Sequence, residues 1–347
     1  MNTKLIIRFL RVTLAISSIL ISSSQTGFGE DAGSRDVFPS SKVVYLTGAS
    51  GPESLAFDPA GEGPYVGVSD GRVLKWRGES LGWTDFAYTS TNRKLCVRAY
   101  APELEHVCGR PLGLRFDKKT GDLYIADAYF GLLVVGPDGG LAKSLVTEAE
   151  GQRFRFTNDL DIDEEEYVVY FTVTSSIFQR RQFFAGVLDI DKTGRFIKYD
   201  ISSKKVTVLL QGLEFPNGVA LSKDRSFVLI DEASTCKILR LWLSGPKAGT
   251  QDVFAEVPGY PDNIRRNSNG EFWVALQSNK VYFSKLSPFS GGISQATAMK
   301  LSESGEVLEV LEDKEGKTLR SISEVDERDG QLWIGSVQMP FFGIYDL

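Results

Sequence analysis

The segment FPNGVALSKDRSFVLI, residues 215–230, sets the pattern that decides the fold. A Pro-Asn-Gly start leads into a short strand at 219–221, a polar turn follows at 223–225, and an apolar second strand ends at Ile230. Two strand-like runs separated by a short polar turn are typical of a β-hairpin. A single hairpin cannot bury its own faces, so the fold depends on how often this unit recurs.

The unit recurs along most of the chain. Each copy has a polar or Pro/Gly-rich start, a first strand, a turn, and a second strand rich in aromatic and β-branched residues. The six copies start at Gly51, Arg110, Phe156, Phe215, Tyr260 and Ser321. Their spacing of about 45 to 60 residues leaves room for four short strands in each. We therefore predict an all-β fold over residues 30–347, a six-bladed β-propeller. Two β-sandwich domains are the alternative. The chain shows no linker-like break that would separate them, which argues against it.

The N-terminal residues 1–29 differ from the rest. Lys4, Arg8 and Arg11 precede an apolar run from Val12 to Ile21, and small or polar residues follow. This order predicts a secretory signal peptide, because the apolar run is shorter than the ~20 residues that span a bilayer. We expect the mature protein in the secretory pathway, in the vacuole, the extracellular space or the ER lumen, without a stable membrane anchor.

In an oxidising compartment, the three cysteines of the chain can form disulfides. Cys96 and Cys108 are 12 residues apart in a polar stretch, so we expect them to form a disulfide. Cys236 lies within an apolar run and is interpreted as a buried thiol. The chain has one histidine, His106, so a zinc site or a histidine-based nucleophile triad is hard to assemble.

Composition and charge narrow the possible partners. The chain has 347 residues, 42% hydrophobic and 24% charged, with a formal net charge of -6. These values predict a folded protein that lacks the basic surface needed to bind nucleic acid. Short basic pairs, among them Arg180-Arg181 and Arg265-Arg266, are interpreted as solvated turns and faces. We expect a monomer that acts on a small-molecule substrate.

Blade 3 contains an insertion between its second and third strands. The stretch IFQRRQFF, residues 177–184, is amphipathic if helical. A short helix here could cap the propeller face and shape a substrate pocket, or it could pack on the rim. Both possibilities stay open at this stage.

In four of the six repeats, a residue with an oxygen-bearing side chain stands near the start of the innermost strand. Aligned on their second strands, the repeats place Glu53, Asn158, Asn217 and Asp262 at corresponding positions, with Asn263 next to the last. Singly, each could be an ordinary turn residue. Together they offer two carboxylates and three amide carbonyls around one axis, a donor set that suits Ca²⁺. We predict a calcium site from these five residues, with Asp262 and Glu53 as the catalytic residues.

Several motifs identify a family resemblance. They are CGRPLGL at 108–114, FPNGVALS at 215–222, LWLSGPKAGT at 241–250 and GYPDNIR at 259–265. With these motifs the chain resembles the plant strictosidine synthase-like family over nearly all of the mature region. The wider superfamily includes calcium-dependent lactonases and phosphotriesterases of the paraoxonase type. The resemblance implies six blades and a catalytic calcium held at the five positions named above.

Two departures from the family pattern bear on the reaction. Strictosidine synthases use a glutamate in the last blade, where this chain has Ser323, with Glu324 adjacent. A one-residue offset points a strand residue to the opposite face unless a β-bulge intervenes. Paraoxonase-type enzymes have a histidine base where this chain has Leu112. The identity of the general base therefore stays open.

Three hypotheses follow for the function. The first is a calcium-dependent hydrolase of esters or lactones, and possible substrates extend to phosphotriesters. In it, Asp262 acts as base or nucleophile. The second is an amine-aldehyde condensing lyase of the strictosidine synthase type with Glu324 as base. The third is a secreted, non-enzymatic propeller with structural calcium.

Overall fold

Strands dominate the computed structural model, which describes residues 33–96, 102–279 and 295–347. They form six antiparallel blades around a central channel, so the predicted six-bladed propeller is confirmed. The predicted signal peptide at residues 1–29 lies outside the described residues and stays a prediction. No helix in the described ranges is long and apolar enough to cross a membrane.

In each of blades 1 to 3, the first strand lies at the channel and the following strands lie successively further out. Their strands are Leu55–Ala56, Tyr65–Gly67, Arg72–Trp76 and Trp83–Tyr88 in blade 1, Pro111–Phe116, Leu123–Asp127, Gly131–Val135 and Lys143–Val146 in blade 2, and Phe156–Asp163, Val168–Ser175, Gly194–Asp200 and Val206–Leu213 in blade 3. A short strand at Gly140–Leu141 adds to blade 1 in parallel. A small hairpin, Glu148–Ala149 with Gln152–Arg153, precedes blade 3.

Blades 4 to 6 complete the ring. Their strands are Pro216–Leu221, Phe227–Glu232, Lys237–Trp242 and Gln251–Glu256 in blade 4, Gly259–Arg266, Phe272–Asn279, Ala296–Leu301 and Val307–Asp313 in blade 5, and Ile322–Arg328, Gln331–Ser336 and Phe341–Asp346 in blade 6. The outermost strand of blade 6 comes from near the other end of the chain, Lys42–Tyr45. A strand at Arg35–Asp36 adds to blade 5 in parallel.

Helices are short and lie between strands. The α-helices are Arg93–Cys96, Glu105–Cys108 and Phe183–Leu188, and the 3₁₀ helices are Phe38–Ser40, Pro102–Leu104, Arg180–Gln182 and Ala233–Thr235. The Phe183–Leu188 helix is the predicted helical insertion of blade 3, which is confirmed.

Side-chain-capped turns explain why the hairpins form where the sequence predicts them. Asp58, Asp117, Asp163 and Asn267 each end an innermost strand, and each side-chain oxygen accepts a hydrogen bond from the backbone N–H two residues later. Short Asp and Asn side chains stabilise such turns by replacing a backbone acceptor. The carboxamide or carboxylate that recurs at the end of four of the six innermost strands therefore helps to fix the register of those hairpins.

The core is divided among the junctions between blades. Each adjacent pair of blades shares one cluster of buried apolar side chains, including the junction of blade 6 with blade 1, where Phe342 packs with Leu55 and Val66. A cluster at every junction around a closed ring is incompatible with two separate sandwiches. The innermost strands are consequently held edge to edge around the channel.

Candidate active site

Four of the five predicted ligands lie together at one end of the channel. Glu53, Asn217, Asp262 and Asn263 are buried and joined in pairs. The Asn217 amide donates to Asp262 Oδ1 over 2.6 Å, and the Asn263 amide donates to Glu53 Oε1 over 3.1 Å. With Asn158 we call this set the mouth layer; Glu53 precedes its innermost strand, and the other four residues lie within theirs.

The fifth predicted ligand, Asn158, occupies the corresponding place in blade 3. It is buried, and its amide donates to Thr174 Oγ1 over 3.0 Å. Thr174 in turn donates to the carbonyl of Pro216, next to Asn217. Asn158 is thus connected to blade 4 through Thr174, and in the described ranges no hydrogen bond joins it directly to Glu53 or Asp262.

Close contact between blades 4 and 5 depends on Gly218. A Cβ at this position would lie 2.7 Å from the Asp262 carbonyl oxygen and 2.8 Å from Asn263 Cα. The Asn-Gly pair looks like a turn in the sequence, yet its glycine serves the approach of two backbones. That approach brings Asn217 within reach of Asp262.

Three oxygens of the mouth layer have no hydrogen-bond partner among the described residues. They are Glu53 Oε2, Asn217 Oδ1 and Asn263 Oδ1, all buried. Because each amide gives its NH₂ group to a carboxylate, its carbonyl oxygen is left without a donor. A buried acceptor without a donor costs about 1–3 kcal/mol. The arrangement therefore suits a cation that would satisfy these oxygens.

Asp262 is held from two sides. Its carboxylate accepts hydrogen bonds from Asn217 and from the side chain of Gln277. Burial raises the pKa of Asp262 to about 7, although both hydrogen bonds lower it. Burial, with further contributions from Asp262 and Glu324, also raises the pKa of Glu53 well above its usual range. The two carboxyl groups cannot both be ionised cheaply at neutral pH without a compensating positive charge.

A second group of charges lies deeper in the channel. Arg265 donates to both oxygens of Asp159, over 2.6 and 3.0 Å, and also pairs with Glu324. These three residues, called the deep layer below, are almost fully buried. Burial alone would lower the pKa of Arg265, but the two carboxylates raise it well above its usual range. The interpretation of Arg265 as a solvated surface residue is therefore wrong.

Glu324 points into the channel because the strand is irregular. The pairing of blade 6 shifts register between Ile322 and Glu324, as at a β-bulge. Ser323 donates its hydroxyl to the Glu53 carbonyl over 2.7 Å, and Glu324 accepts from the Leu55 N–H over 3.0 Å. The bulge that the sequence left open is thus present, and both neighbouring residues face the hub.

The side of the channel formed by blades 2 to 4 is apolar. Leu112, Ala128 and Phe156 form a buried cluster, against which Tyr129 and Phe215 pack. Leu112 lies in this wall, at the position where the sequence comparison with paraoxonase-type enzymes would expect a histidine base. His106 is exposed and contacts Arg181 through Nδ1.

The blade 3 insertion lies against the loop that precedes blade 2. Arg180 donates to Glu105 Oε1 over 2.6 Å, and Tyr129 donates its hydroxyl to Glu105 Oε2 over 2.9 Å. Cys96 and Cys108 form a disulfide in that loop, with Cα atoms 5.4 Å apart. Such a bond is consistent with a protein of the secretory pathway.

Asp231 is a further buried carboxyl group that the sequence pattern did not single out. It lies in the second strand of blade 4, fully buried, and neither of its oxygens has a partner among the described residues. Burial raises its pKa well above the usual range, and Asp159 and Asp262 raise it further. Only the strand pattern around it could have placed it near the hub.

The composition of the hub limits which metal sites are possible. In the described ranges, no group of three or more His, Cys, Asp or Glu is placed to hold a metal ion. The mouth layer has two carboxylates, and its other oxygens belong to amides. It thus lacks the donors of a zinc or iron site, and it keeps the mixed oxygen donors that Ca²⁺ accepts.

Comparisons with known sequences point to one family. The profile described as "Strictosidine synthase" matches residues 158–246, and that described as "Strictosidine synthase-like, N-terminal" matches residues 40–76. Protein STRICTOSIDINE SYNTHASE-LIKE 10 of Arabidopsis thaliana is 72% identical and covers 100% of both chains. Protein STRICTOSIDINE SYNTHASE-LIKE 3 of the same plant is 49% identical over 90% of this chain and 86% of the relative.

Solved structures with the same fold are more distant. A gluconolactonase from Xanthomonas campestris aligns with a TM-score of 0.62 at 17% identity, covering 90% of this chain and 91% of its own. The calcium-binding protein regucalcin of Agrobacterium tumefaciens aligns with a TM-score of 0.56 at 12% identity, covering 87% and 90%. At these identities the likeness shows the fold alone.

Proposed function

We propose a function from one premise: the chain belongs to the strictosidine synthase-like family. Within this family, we propose that it is a hydrolase of carboxylic esters and lactones, with phosphotriesters as a further class, and that it holds Ca²⁺ in the mouth layer. We also propose that it acts as a monomer in the vacuole, the extracellular space or the ER lumen. A gluconolactonase and a calcium-binding protein share the fold, which supports the proposal without assigning the reaction.

The three partnerless oxygens of the mouth layer carry this proposal. Glu53, Asn217 and Asn263 each turn one buried oxygen away from every donor in the described chain. Asp262 and Asn158 would complete the donor set. Two carboxylates would balance the charge of one divalent ion, so the raised pKa values of Glu53 and Asp262 fit a site built for a cation.

The residues around Asp262 prepare it for catalysis. When bound, Ca²⁺ would polarise a carbonyl or phosphoryl oxygen of the substrate. Asn217 and Gln277 fix the orientation of the Asp262 carboxylate, which could take a proton from water or attack the substrate itself. Leu112 and Phe156 exclude water from one side of the hub, which strengthens every charge interaction there.

Condensation of an amine with an aldehyde is the second candidate function. The bulge that turns Glu324 inwards favours it, because a glutamate of the last blade then faces the hub. However, Glu324 is fully buried and already accepts hydrogen bonds from Leu55 and Arg265. A base engaged in this way is poorly placed to move a proton, so hydrolysis is the better-supported reaction.

An activity panel tests the proposal. The secreted protein, loaded with calcium, is assayed with phenyl acetate, a γ-lactone, a δ-lactone and a phosphotriester, before and after chelation. We expect weak hydrolysis of at least one substrate, lost on chelation and reduced 10²- to 10⁴-fold by Asp262→Asn. Asp329→Asn, in an exposed turn, is the matched control and should keep full activity.

Other outcomes of the panel decide against hydrolysis. Activity that survives chelation would contradict the role of calcium. A protein that calcium stabilises, but that hydrolyses nothing in the panel, would support the non-enzymatic propeller. Product from a parallel amine-aldehyde assay, lost in Glu324→Gln, would support condensation.

A further inference from the structure

Arg180, in the blade 3 insertion, is fixed by an ion pair with the loop that precedes blade 2. Its side chain is 21% exposed, and Nη1 pairs with the buried Glu105 over 2.6 Å. Glu105 is itself held by the Tyr129 hydroxyl. The backbone N–H of Arg181 also donates to that hydroxyl, over 3.1 Å. These contacts hold the insertion across the tops of blades 2 and 3.

Half of the Arg180 guanidinium is not engaged. Among the described residues, Glu105 accepts the hydrogen bond of Nη1, and no acceptor contacts Nε or Nη2. The Nε and Nη2 groups form one edge of the guanidinium plane, with two parallel N–H bonds. This edge matches the two oxygens of a carboxylate.

The position of Arg180 beside the hub follows from its contacts, because it shares Glu105 with Tyr129, and Tyr129 packs on the cluster of Leu112 and Phe156. The contacts therefore place the guanidinium beside the apolar wall, in which Phe156 precedes Asn158 of the mouth layer by two residues. Its charge also interacts with Glu53, and it lowers the pKa of Asp262. Such interactions weaken steeply with distance and with intervening solvent, so they agree with this position.

An apolar surface lies next to this cation. Tyr129, which shares Glu105 with Arg180, packs on the cluster of Leu112 and Phe156. The rings of Phe156 and Phe215 meet edge to face, with centroids 5.7 Å apart. These two rings come two residues before Asn158 and Asn217. The hub thus has an apolar wall, an oxygen-lined floor and one fixed guanidinium edge.

We propose that Arg180 is a substrate-binding residue, and that the substrate is an ester or lactone whose apolar body also bears a carboxylate. The apolar body would lie on the wall of Leu112 and Phe156, and the carboxylate would take the free guanidinium edge. The reacting carbonyl would then face Asp262. The substrate class rests on the proposed hydrolase function, whereas carboxylate binding by Arg180 can be measured without turnover.

Two esters that differ in one charge test the proposal. The probes are 4-acetoxybenzoate and its neutral methyl ester, methyl 4-acetoxybenzoate. We expect the wild type to favour the carboxylate in kcat/KM, and Arg180→Gln to reduce this preference at least tenfold through KM. Arg180→Lys, which keeps the charge without the planar edge, should give an intermediate preference. Arg181→Gln is the matched control, since its side chain bonds to Gln179 and His106.

Folding and turnover are separated from recognition by two further measurements. Arg180→Gln leaves Glu105 buried without its partner, so the double variant Arg180→Gln/Glu105→Gln, with its melting temperature, serves as the folded reference. Titration calorimetry with 4-hydroxybenzoate reports binding without reaction, and we expect the double variant to bind at least tenfold more weakly than the wild type.

Equal affinity in the two proteins, or no binding by the wild type, would overturn the role of Arg180. If neither ester is hydrolysed while 4-hydroxybenzoate binding still depends on Arg180, the hydrolase function fails and the recognition role stands.

Discussion

The mouth layer and the deep layer solve the same electrostatic problem in different ways. Both bury two carboxylates in one narrow channel, Glu53 with Asp262 and Asp159 with Glu324. The deep layer contains its own cation, because Arg265 bridges both carboxylates. The mouth layer has amides in place of a cation, and three of its oxygens lack donors among the described residues.

This difference separates a structural role from a chemical one. A cation attached to the chain cannot leave, so the deep layer is complete once the ring has closed. Arg265 also borders a cavity of about 550 Å³ at the opposite end of the channel, so the deep layer lies between this cavity and the mouth layer. The mouth layer, by contrast, keeps three oxygens available to an ion or a substrate from outside.

Removing the built-in cation should have the largest effect. Arg265→Met leaves Asp159 and Glu324 buried without a partner, which we expect to lower the free energy of unfolding by about 3–5 kcal/mol. Urea denaturation measures this change. Arg266 is the exposed neighbour, so Arg266→Met should lower the free energy of unfolding by at least ~2 kcal/mol less than Arg265→Met does. Similar losses in both variants would show that the deep layer is not a charge-balanced unit.

Calcium should stabilise the mouth layer and nothing else in the channel. At a free calcium concentration about 100 times its Kd, we expect a stability gain of about 2.7 kcal/mol, seen as a higher Tm. Asp262→Asn should abolish this gain. Asp122→Asn, in a turn far along the hairpin of blade 2, should retain it. A gain that persists in Asp262→Asn would place the ion elsewhere.

The two layers should also differ in their response to pH. The raised pKa of Asp262, about 7, means that the folded state binds this proton more tightly than the unfolded chain does. Without calcium, its contribution to stability is therefore full below pH ~4 and is lost as the pH rises to about 7, by about 2 kcal/mol between pH 5 and 7. Saturating calcium should flatten this slope. Thermal unfolding at several pH values, with and without chelator, measures both curves, and identical slopes would refute the assignment.

The smallest effect is expected at Asn158. Its side-chain amide donates one hydrogen bond, to Thr174, so Asn158→Ala should lower the free energy of unfolding by about 1 kcal/mol. If Asn158 is also a ligand, calcium affinity measured by titration should fall, but less than in Glu53→Gln. An unchanged calcium affinity would remove Asn158 from the predicted ligand set.

Sequence reasoning succeeded where a pattern is local and repeated. The six hairpins, their turns and the helical insertion of blade 3 follow from residues near one another in the chain. The same alignment predicted that Glu53, Asn217 and Asp262 stand at equivalent places, because equivalent positions in a ring converge on its axis. Whether these residues act as ligands is still a prediction.

Ion pairs between residues far apart in the chain could not be predicted from the sequence. Arg265 and Asp159 are 106 residues apart, and nothing in the motif GYPDNIR distinguishes a buried arginine from an exposed one. Gln277 and Asp231 likewise become notable only when the strands are paired. The orientation of Glu324 depended on one bulge, which a strict two-residue alternation cannot foresee.

The seam of blade 6 has a consequence for biosynthesis. The strand Lys42–Tyr45 is made early, and its partner Phe341–Asp346 follows about 300 residues later. At about 5–20 residues per second, translation separates the two by roughly 15 to 60 s. During that interval the backbone groups of the first strand are unpaired, and strands of other nascent chains can pair with them. Folding yield in the cell should therefore depend on how well this early strand is shielded until the last one emerges.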